Sequence, residues 1–180
     1  MRITSWALML SSALPLLCGC QTAPTSNAER ESLIVESASV LRRLKADDPS
    51  LQRFLSKAYG YAVFPEVGKG ALIAGGAYGK GLLYEQGRMV GYVDVTQATV
   101  GLQAGGQSYS ELIVFEQAHD VDRFISGKFA LAANVSAVAI NAGAARSAKY
   151  TEGVAVFVRP IGGLMLEAAV GGQQFTYMPK

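Results

Sequence analysis

The chain has 180 residues, half of them hydrophobic (50%), with 16 basic and 14 acidic side chains and a formal net charge of +2. This length suits one ordinary domain that can bury a sizeable core. The near balance of charges argues against a nucleic-acid-binding protein, because such proteins need a strongly basic face.

The first 19 residues have the pattern of an export signal. Arg2 is the only charged residue before Glu29, and an apolar run extends from Trp6 to Leu17. The run is shorter than the roughly 20 residues that a membrane-spanning helix needs, but it has the length of a signal-peptide core. We therefore predict a signal peptide over residues 1–19.

The apolar run ends in Leu17-Cys18-Gly19-Cys20, which resembles the lipobox of bacterial lipoproteins. In a lipobox the cysteine thiolate attacks a diacylglyceryl donor, and a peptidase then cuts before the lipidated cysteine. We predict lipidation of Cys20 and a tether over residues 20–28, with a plain secretory signal or an uncleaved anchor as the alternatives. Two acyl chains would give stable membrane anchoring.

The residue after Cys20 bears on the membrane that receives the anchor. Inner-membrane retention in bacteria with two membranes usually requires aspartate there, and this chain has Gln21. We therefore expect a cell-envelope protein on the periplasmic face of the outer membrane, if the host has two membranes.

Residues 29–180 are predicted to form a single α+β domain that begins with helices. Apolar residues recur at helical spacing across Glu29–Lys45, with charged residues between them, which predicts an amphipathic helix. Asp48-Pro49 is typical of a helix start and Gly60 of a helix end, so we predict a second helix between them.

From Tyr61 onward, short runs of apolar and glycine residues predict a mostly antiparallel β-sheet or sandwich, with turns near Pro65, Gln86-Gly87 and Gly105–Ser108. A short helix is predicted over Ala118–Ile125. Phe129–Ala142 fits either a strand or a buried helix, and we favour the strand. The predicted strands are Tyr61–Phe64, Gly70–Tyr78, Gly81–Tyr84, Met89–Val95, Thr99–Gln107, Glu111–Phe115, Gly153–Val158, Gly163–Val170 and Phe175–Tyr177.

The sequence carries no recognisable catalytic or metal-binding pattern. His119 is the single histidine, so neither a zinc site nor a Ser-His-Asp arrangement is indicated. The glycine-rich run Gly75–Gly81 does not fit a phosphate-binding loop, because Lys80 is followed by glycine instead of serine or threonine. We expect a protein that is not an enzyme and needs no cofactor.

Basic residues outnumber acidic ones between positions 53 and 90, which is the charge pattern of a surface that meets lipid headgroups. The alternative is an ordinary solvated face. The candidate lipid-binding residues are Arg53, Lys57, Lys69, Lys80 and Arg88. A further basic cluster closes the first predicted helix and consists of Arg42, Arg43 and Lys45.

Several sequence blocks, in order along about residues 35–177, resemble the bacterial lipoprotein branch of the SYLF-domain family. They include AYGYAVFPEVGKG at 58–70, GGAYGKG at 75–81 and GLQAGGQSYS at 101–110. The resemblance implies a lipid-binding module. Eukaryotic members bind phosphoinositides, and some bind actin beside an SH3 domain. This chain has no SH3-like extension, and an exported bacterial protein does not meet actin, so actin is not an expected partner.

Together these features predict a membrane-anchored, non-catalytic domain that binds lipid or another envelope component. Its expected partners are the membrane, through the N-terminal anchor, and anionic phospholipid. The alternative hypothesis is a structural or protein-interaction lipoprotein of the envelope with no lipid ligand beyond its own anchor.

Overall fold

A computed structural model describes residues 24–72, 76–98, 108–127, 137–162 and 172–180. It contains four helices and seven strands within these residues, as an α+β fold, which confirms the predicted fold class. The elements are α1 Asn27–Asp47, α2 Ser50–Leu55, β1 Gly60–Leu72, β2 Gly76–Glu85, β3 Arg88–Ala98, β4 Ser108–Phe115, α3 Ala118–Ile125, β5 Ala137–Ala139, α4 Ala144–Ser147, β6 Val154–Ile161 and β7 Gln173–Pro179.

Helix α1 confirms the predicted N-terminal helix and extends it by two residues at each end. The Ser26 hydroxyl caps it by accepting a hydrogen bond from the backbone amide of Glu29 at 3.1 Å. Leu33, Val40 and Leu44 lie on one side of the helix and are buried. Burial of this stripe against the sheet stabilises α1, since most helical stability in proteins comes from packing of an apolar face.

The seven strands form one sheet with the order β5-β6-β4-β1-β2-β3-β7. Every neighbouring pair is antiparallel except β5 and β6, which are parallel. The predicted turn at Gln86-Gly87 joins β2 to β3, and both residues have positive φ, at 46° and 78°. A two-residue turn of this kind matches the twist of the strands that it connects.

Two turn or end positions predicted around β1 are wrong. Gly60 opens β1 instead of ending a helix, and α2 already ends at Leu55. Pro65 lies within β1 at an irregularity in its register with both neighbouring strands, instead of in a turn. Proline lacks an amide donor and is tolerated in a strand at such a bulge. The Ser110 hydroxyl of β4 donates to the Pro65 carbonyl at 2.7 Å and secures this position.

The sheet buries both of its faces. Helices α1, α2 and α4 cover one face, which we call the helical face, and their core includes Leu44, Leu51, Leu82 and Phe157. Helix α3 packs on the opposite face, where its Phe124 lies 4.9 Å from the rings of both Phe115 and Phe175. Alternation of side chains along each strand therefore supplies two cores.

The sheet curves toward the face that carries α3. Strand β7 is separated from β4 by three strands in the sheet order, yet the Gln173 amide of β7 contacts the Glu111 carboxyl of β4 at 2.9 Å. Phe175 of β7 likewise packs on Phe64 of β1, with ring centroids 5.9 Å apart. Curvature thus brings side chains from distant strands into one interior.

Several predicted elements fall wholly or partly outside the described residues. These include the strands at 99–107 and 163–170, the signal peptide and Cys20. Of the Phe129–Ala142 segment, the structure describes only residues 137–142, where Ala137–Ala139 is a strand.

Candidate anion-binding surface

The basic residues predicted to lie on one lipid-binding surface occupy different parts of the fold. In the β2–β3 register, Lys80 lies opposite Asp94 and Arg88 lies opposite Glu85, five positions apart along β2. At roughly 3.3 Å per residue this separates the two sites by roughly 17 Å. Lys69 lies opposite Ala77 in the β1–β2 pair, still farther from Arg88. The hairpin cations are therefore spread along the strands.

Lys80 is close to acidic groups on two elements. Its ammonium lies 3.7 Å from the Glu29 carboxylate of α1. Its strand partner Asp94 is buried and accepts hydrogen bonds from the Tyr78 and Thr176 hydroxyls, at 3.3 and 3.4 Å. The positive charge of Lys80 is accordingly offset by neighbouring carboxylates.

Arg53 and Lys57, in contrast, are brought together with a cation that the sequence reasoning did not select. Together with Arg146 of α4 they line a groove of about 370 Å³ whose other walls are Ser50, Phe54 and Ala145. All three basic side chains are exposed. We call this concavity the α2–α4 groove. It continues into a neighbouring concavity that also contains Ser50, Arg53 and Arg146.

A buried carboxylate fixes the two walls of the α2–α4 groove. Asp48 is fully buried and accepts hydrogen bonds from the amide and hydroxyl of Ser50, at 2.9 and 2.6 Å. It also accepts from the amides of Gly143, at 3.1 Å, and Ala145, at 2.6 Å. The sequence predicted a helix start at Asp48-Pro49, whereas the structure places the cap at Pro49 and the first helical residue at Ser50, one position later. The Asp48 carboxylate still accepts a hydrogen bond from the Ser50 amide.

Two opposing effects set the pKa of Asp48. Burial of the carboxyl raises the pKa, but hydrogen bonds from Ala145, Ser50 and Gly143 favour the ionised form, and together they hold the pKa below its usual value. Asp48 is therefore a carboxylate at neutral pH whose oxygens are already occupied by internal donors.

Aromatic packing holds the floor of the groove. The Phe54 ring lies 5.0 Å from the Tyr150 ring and 5.3 Å from the Phe157 ring, in tilted and edge-on arrangements. Such pairs contribute about 0.5–1.5 kcal/mol beyond burial of their area. Burial of the Tyr150 hydroxyl, together with the nearby charge of Glu116, raises its pKa to about 12. The floor is thus uncharged and well packed.

The charge of the surrounding helical face is also positive. Residues 42–57 and 144–149 contain seven basic and two acidic side chains. One acid, Asp47, pairs with Arg159 at 2.6 Å, and the other is the internally bonded Asp48. The N-terminal half of α1 differs, since Glu29, Glu31 and Glu36 lie there. We call the basic part, residues 42–57 and 144–149, the basic helical surface.

The opposite face holds a buried polar cluster that the sequence reasoning also missed. Glu111 is fully buried, and its carboxyl accepts a hydrogen bond from the Gln173 amide, which also donates to the Tyr109 hydroxyl at 3.2 Å. Burial raises the pKa of Glu111 to about 8, although the Gln173 bond acts in the opposite direction. Glu111 lies on the same face of β4 as the buried Tyr109, Ile113 and Phe115, at two-residue spacing. A charged residue within this buried series was the available signal.

His119 has a surface position. Its side chain is 64% exposed, and its Nε2 lies 3.1 Å from the carboxylate of Asp120. Asp120 in turn accepts a hydrogen bond from the Gln117 amide at the start of α3. Across the described ranges, no group of three or more His, Cys, Asp or Glu side chains is placed to hold a metal ion. Nor does any described helix combine the length and apolar character needed to cross a membrane.

Comparisons with known proteins agree with the family resemblance of the sequence. The family model described as "Ysc84: Las17-binding protein actin regulator" matches residues 96–178. Beta cell expansion factor A of Aeromonas veronii is 29% identical over 154 residues, which make up 84% of this chain. The aligned region covers 58% of that relative, so the chain spans less than two thirds of its length.

Proposed function

We propose that this chain, whose residues 96–178 match the SYLF (Ysc84) family model, is a membrane-anchored protein whose non-catalytic domain binds anionic phospholipid. The observation that carries the proposal is the basic helical surface, where seven basic side chains meet two acids that already have partners. Basic residues near an anionic membrane contribute roughly 1 kcal/mol each.

The position of the basic helical surface supports membrane contact. It lies on the helical face, and α1, which leads toward the predicted tether, packs on that same face. Apart from Asp47, which pairs with Arg159, the acidic residues of α1 lie in its first half. Between Arg42 and Lys57 the sequence contains no acidic residue other than Asp47 and Asp48. A membrane held nearby by lipidated Cys20 would meet this surface at high effective concentration.

The anchor itself is part of the proposal. Lipidation of Cys20 after removal of residues 1–19 would hold the domain at the periplasmic face of the outer membrane in a host with two membranes. Labelled palmitate should enter the parent chain and a Cys18→Ser control but not a Cys20→Ser variant. Labelling of the Cys20→Ser variant, or recovery of the parent in the inner-membrane fraction, would contradict the corresponding part of the proposal.

The second candidate function is a structural or protein-interaction role without a lipid ligand. The matched family is described as an actin regulator that binds another protein, which favours retaining this alternative. Vesicle binding separates the two. A chain of residues 21–180, which keeps every described residue, should bind phosphatidylcholine vesicles containing phosphatidylglycerol in a saturable manner and pure phosphatidylcholine weakly. Absence of binding to both at low salt would favour the protein-interaction role.

A further inference from the structure

The α2–α4 groove differs from the rest of the basic helical surface because its cations converge on a concave site. Arg53 and Lys57 come from α2 and the turn after it, whereas Arg146 comes from α4, some ninety residues later in the chain. Within the described residues, none of the three forms a salt bridge with a carboxylate. We propose that this groove binds a phosphate group, with Arg53, Lys57 and Arg146 as its cationic ligands.

The types of side chain favour phosphate over a simpler anion. A guanidinium offers a planar set of donors that matches two oxygens of a phosphate, and Lys57 adds a compact third charge. A carboxylate has two oxygens and is satisfied by one arginine. Two arginines and a lysine around one concavity match the larger number of oxygens on a phosphate monoester or diester.

The one carboxylate next to the groove does not neutralise it. Asp48 belongs to the neighbouring concavity, but its oxygens accept four hydrogen bonds from Ser50, Gly143 and Ala145. Because these donors are internal, the carboxylate faces the junction of α2 and α4 and leaves both arginines available to a ligand. The same bonds fix the spacing between the helices that carry Arg53 and Arg146.

The floor of the groove adds rigidity. Phe54 follows Arg53 directly and is held between Tyr150 and Phe157. Restraint of this ring restrains the backbone from which Arg53 projects. A site built on packed elements loses less conformational entropy when a ligand binds than one built on a loop.

The inference rests on the proposed function for its lipid source but not for its chemistry. A phosphate group can belong to a phospholipid headgroup or to a free ion, and both would use the same three side chains. Binding of the domain to a membrane by net charge alone makes a different prediction. Any cation of the basic helical surface would then contribute as much as any other. That difference makes the groove testable.

The test compares two double variants in the chain of residues 21–180. Arg53→Gln/Arg146→Gln removes two cations of the groove, and Arg42→Gln/Arg43→Gln removes two exposed cations of the same surface outside it. Both change the net charge equally. Vesicle binding is measured with phosphatidylglycerol in phosphatidylcholine, and inorganic phosphate is titrated while the arginine Nε–Hε resonances are followed by NMR. Melting curves establish that each variant is folded.

The groove variant should bind inorganic phosphate about tenfold more weakly than the parent, whereas the control variant should bind it as the parent does. The affinity of the groove variant for the vesicles should fall about tenfold more than that of the control variant. An Arg53→Lys/Arg146→Lys variant, which keeps the charge, should also weaken phosphate binding because it lacks the planar donor pair.

Equal losses in the groove and control variants would overturn the phosphate site and leave the proposed lipid binding intact. Phosphate binding without vesicle binding by the parent would support the groove with a free phosphate source and remove the membrane function. Absence of both would overturn both. Full binding by the lysine variant would reject the bidentate arrangement, and with it the site as proposed.

Discussion

The carboxylate of Asp48 accepts a hydrogen bond from the backbone amide of Ala145 at 2.6 Å, across 97 positions of the chain. The bond joins the corner between α1 and α2 to the start of α4. Asp48 is fully buried there, so its removal would leave several donors without a partner in the interior. This contact therefore couples the stability of the helical face to the geometry of the α2–α4 groove.

Replacement of Asp48 by asparagine should lower the free energy of unfolding by about 2–4 kcal/mol, because the amide nitrogen would face backbone donors. Chemical denaturation measures the change. The matched control is Asp47→Asn, which removes a partly exposed partner of Arg159 and should lower stability by less than about 1 kcal/mol. Equal effects of the two substitutions would show that the buried bonds of Asp48 contribute little.

The same residue predicts a response to acid. The pKa of Asp48 is lowered in the folded state. Its contribution to the free energy of unfolding is therefore complete above the unfolded pKa of about 4, and it disappears as the pH falls through the folded pKa. The stability difference between the parent and Asp48→Asn should therefore shrink as the pH is lowered from about 6 to about 2. A difference that stays constant over this range would argue against a lowered pKa.

Glu111 predicts the opposite trend in a higher pH range. Its folded pKa is about 8, above the unfolded value of about 4.3, so the unfolded chain loses a proton that the folded chain retains. The free energy of unfolding should fall as the pH rises from about 4.3 to about 8 and level off at higher pH. Burial, with the charge of Glu111, also raises the pKa of Tyr109, which stays neutral here.

A Glu111→Gln variant should lack this slope and exceed the parent in stability at about pH 8 by at least about 1 kcal/mol. Its amide could donate to the Gln173 carbonyl oxygen, which is buried without a hydrogen-bond partner among the described residues. Exposed Glu31→Gln serves as the control and should keep the parental slope. A parent whose stability is flat between about pH 5 and 8 would contradict a protonated Glu111.

Local patterns in the sequence predict much of the fold. The helical spacing of apolar residues over Glu29–Lys45 predicts α1, and Gln86-Gly87 predicts the turn between β2 and β3. These features depend on neighbours within a few residues. Pro65 was misread because proline is common in turns, whereas the bulge that accepts it depends on the register of β1 with two partner strands.

The candidate site depends on contacts between distant parts of the chain. Arg53 and Lys57 were selected from the sequence, but Arg146 lies beside them only because α4 packs next to α2. The amides of Gly143 and Ala145 donate to the Asp48 carboxylate and hold the two helices in this position. The interior cluster is similar, since no local pattern brings Gln173 to Glu111. Local periodicity gives the elements, whereas tertiary contacts decide which side chains form a site.

Gly81 should be intolerant of a larger side chain because β1 approaches it closely. A Cβ atom at this position would lie 2.5 Å from the Val63 carbonyl oxygen and 2.6 Å from the Phe64 ring. Gly81→Ala should lower the free energy of unfolding by about 1–3 kcal/mol. Gly68→Ala is the control, since its Cβ would meet only the Ser108 hydroxyl at 3.5 Å. A Gly81→Ala variant as stable as Gly68→Ala would show that the strands separate easily.

Two candidate sites of membrane contact, the basic helical surface and the β1–β2 hairpin, can be distinguished by substitution. Arg42→Gln/Arg43→Gln should weaken binding to phosphatidylglycerol vesicles by about 2 kcal/mol at low salt, or about thirtyfold. Lys69→Gln/Lys80→Gln should weaken it less, because the Lys80 charge is already offset by Glu29 at 3.7 Å. Vesicle sedimentation at several salt concentrations gives both values.

Salt provides the internal control for this comparison. Exposed charges are screened beyond a Debye length of about 10 Å at 0.1 M salt, so the loss in the arginine variant should shrink as salt rises. Its melting temperature should stay close to the parental value, since exposed charges contribute little to stability. A larger loss in the lysine variant than in the arginine variant would place the contact on the hairpin, because binding would then depend on charges that lie away from the basic helical surface.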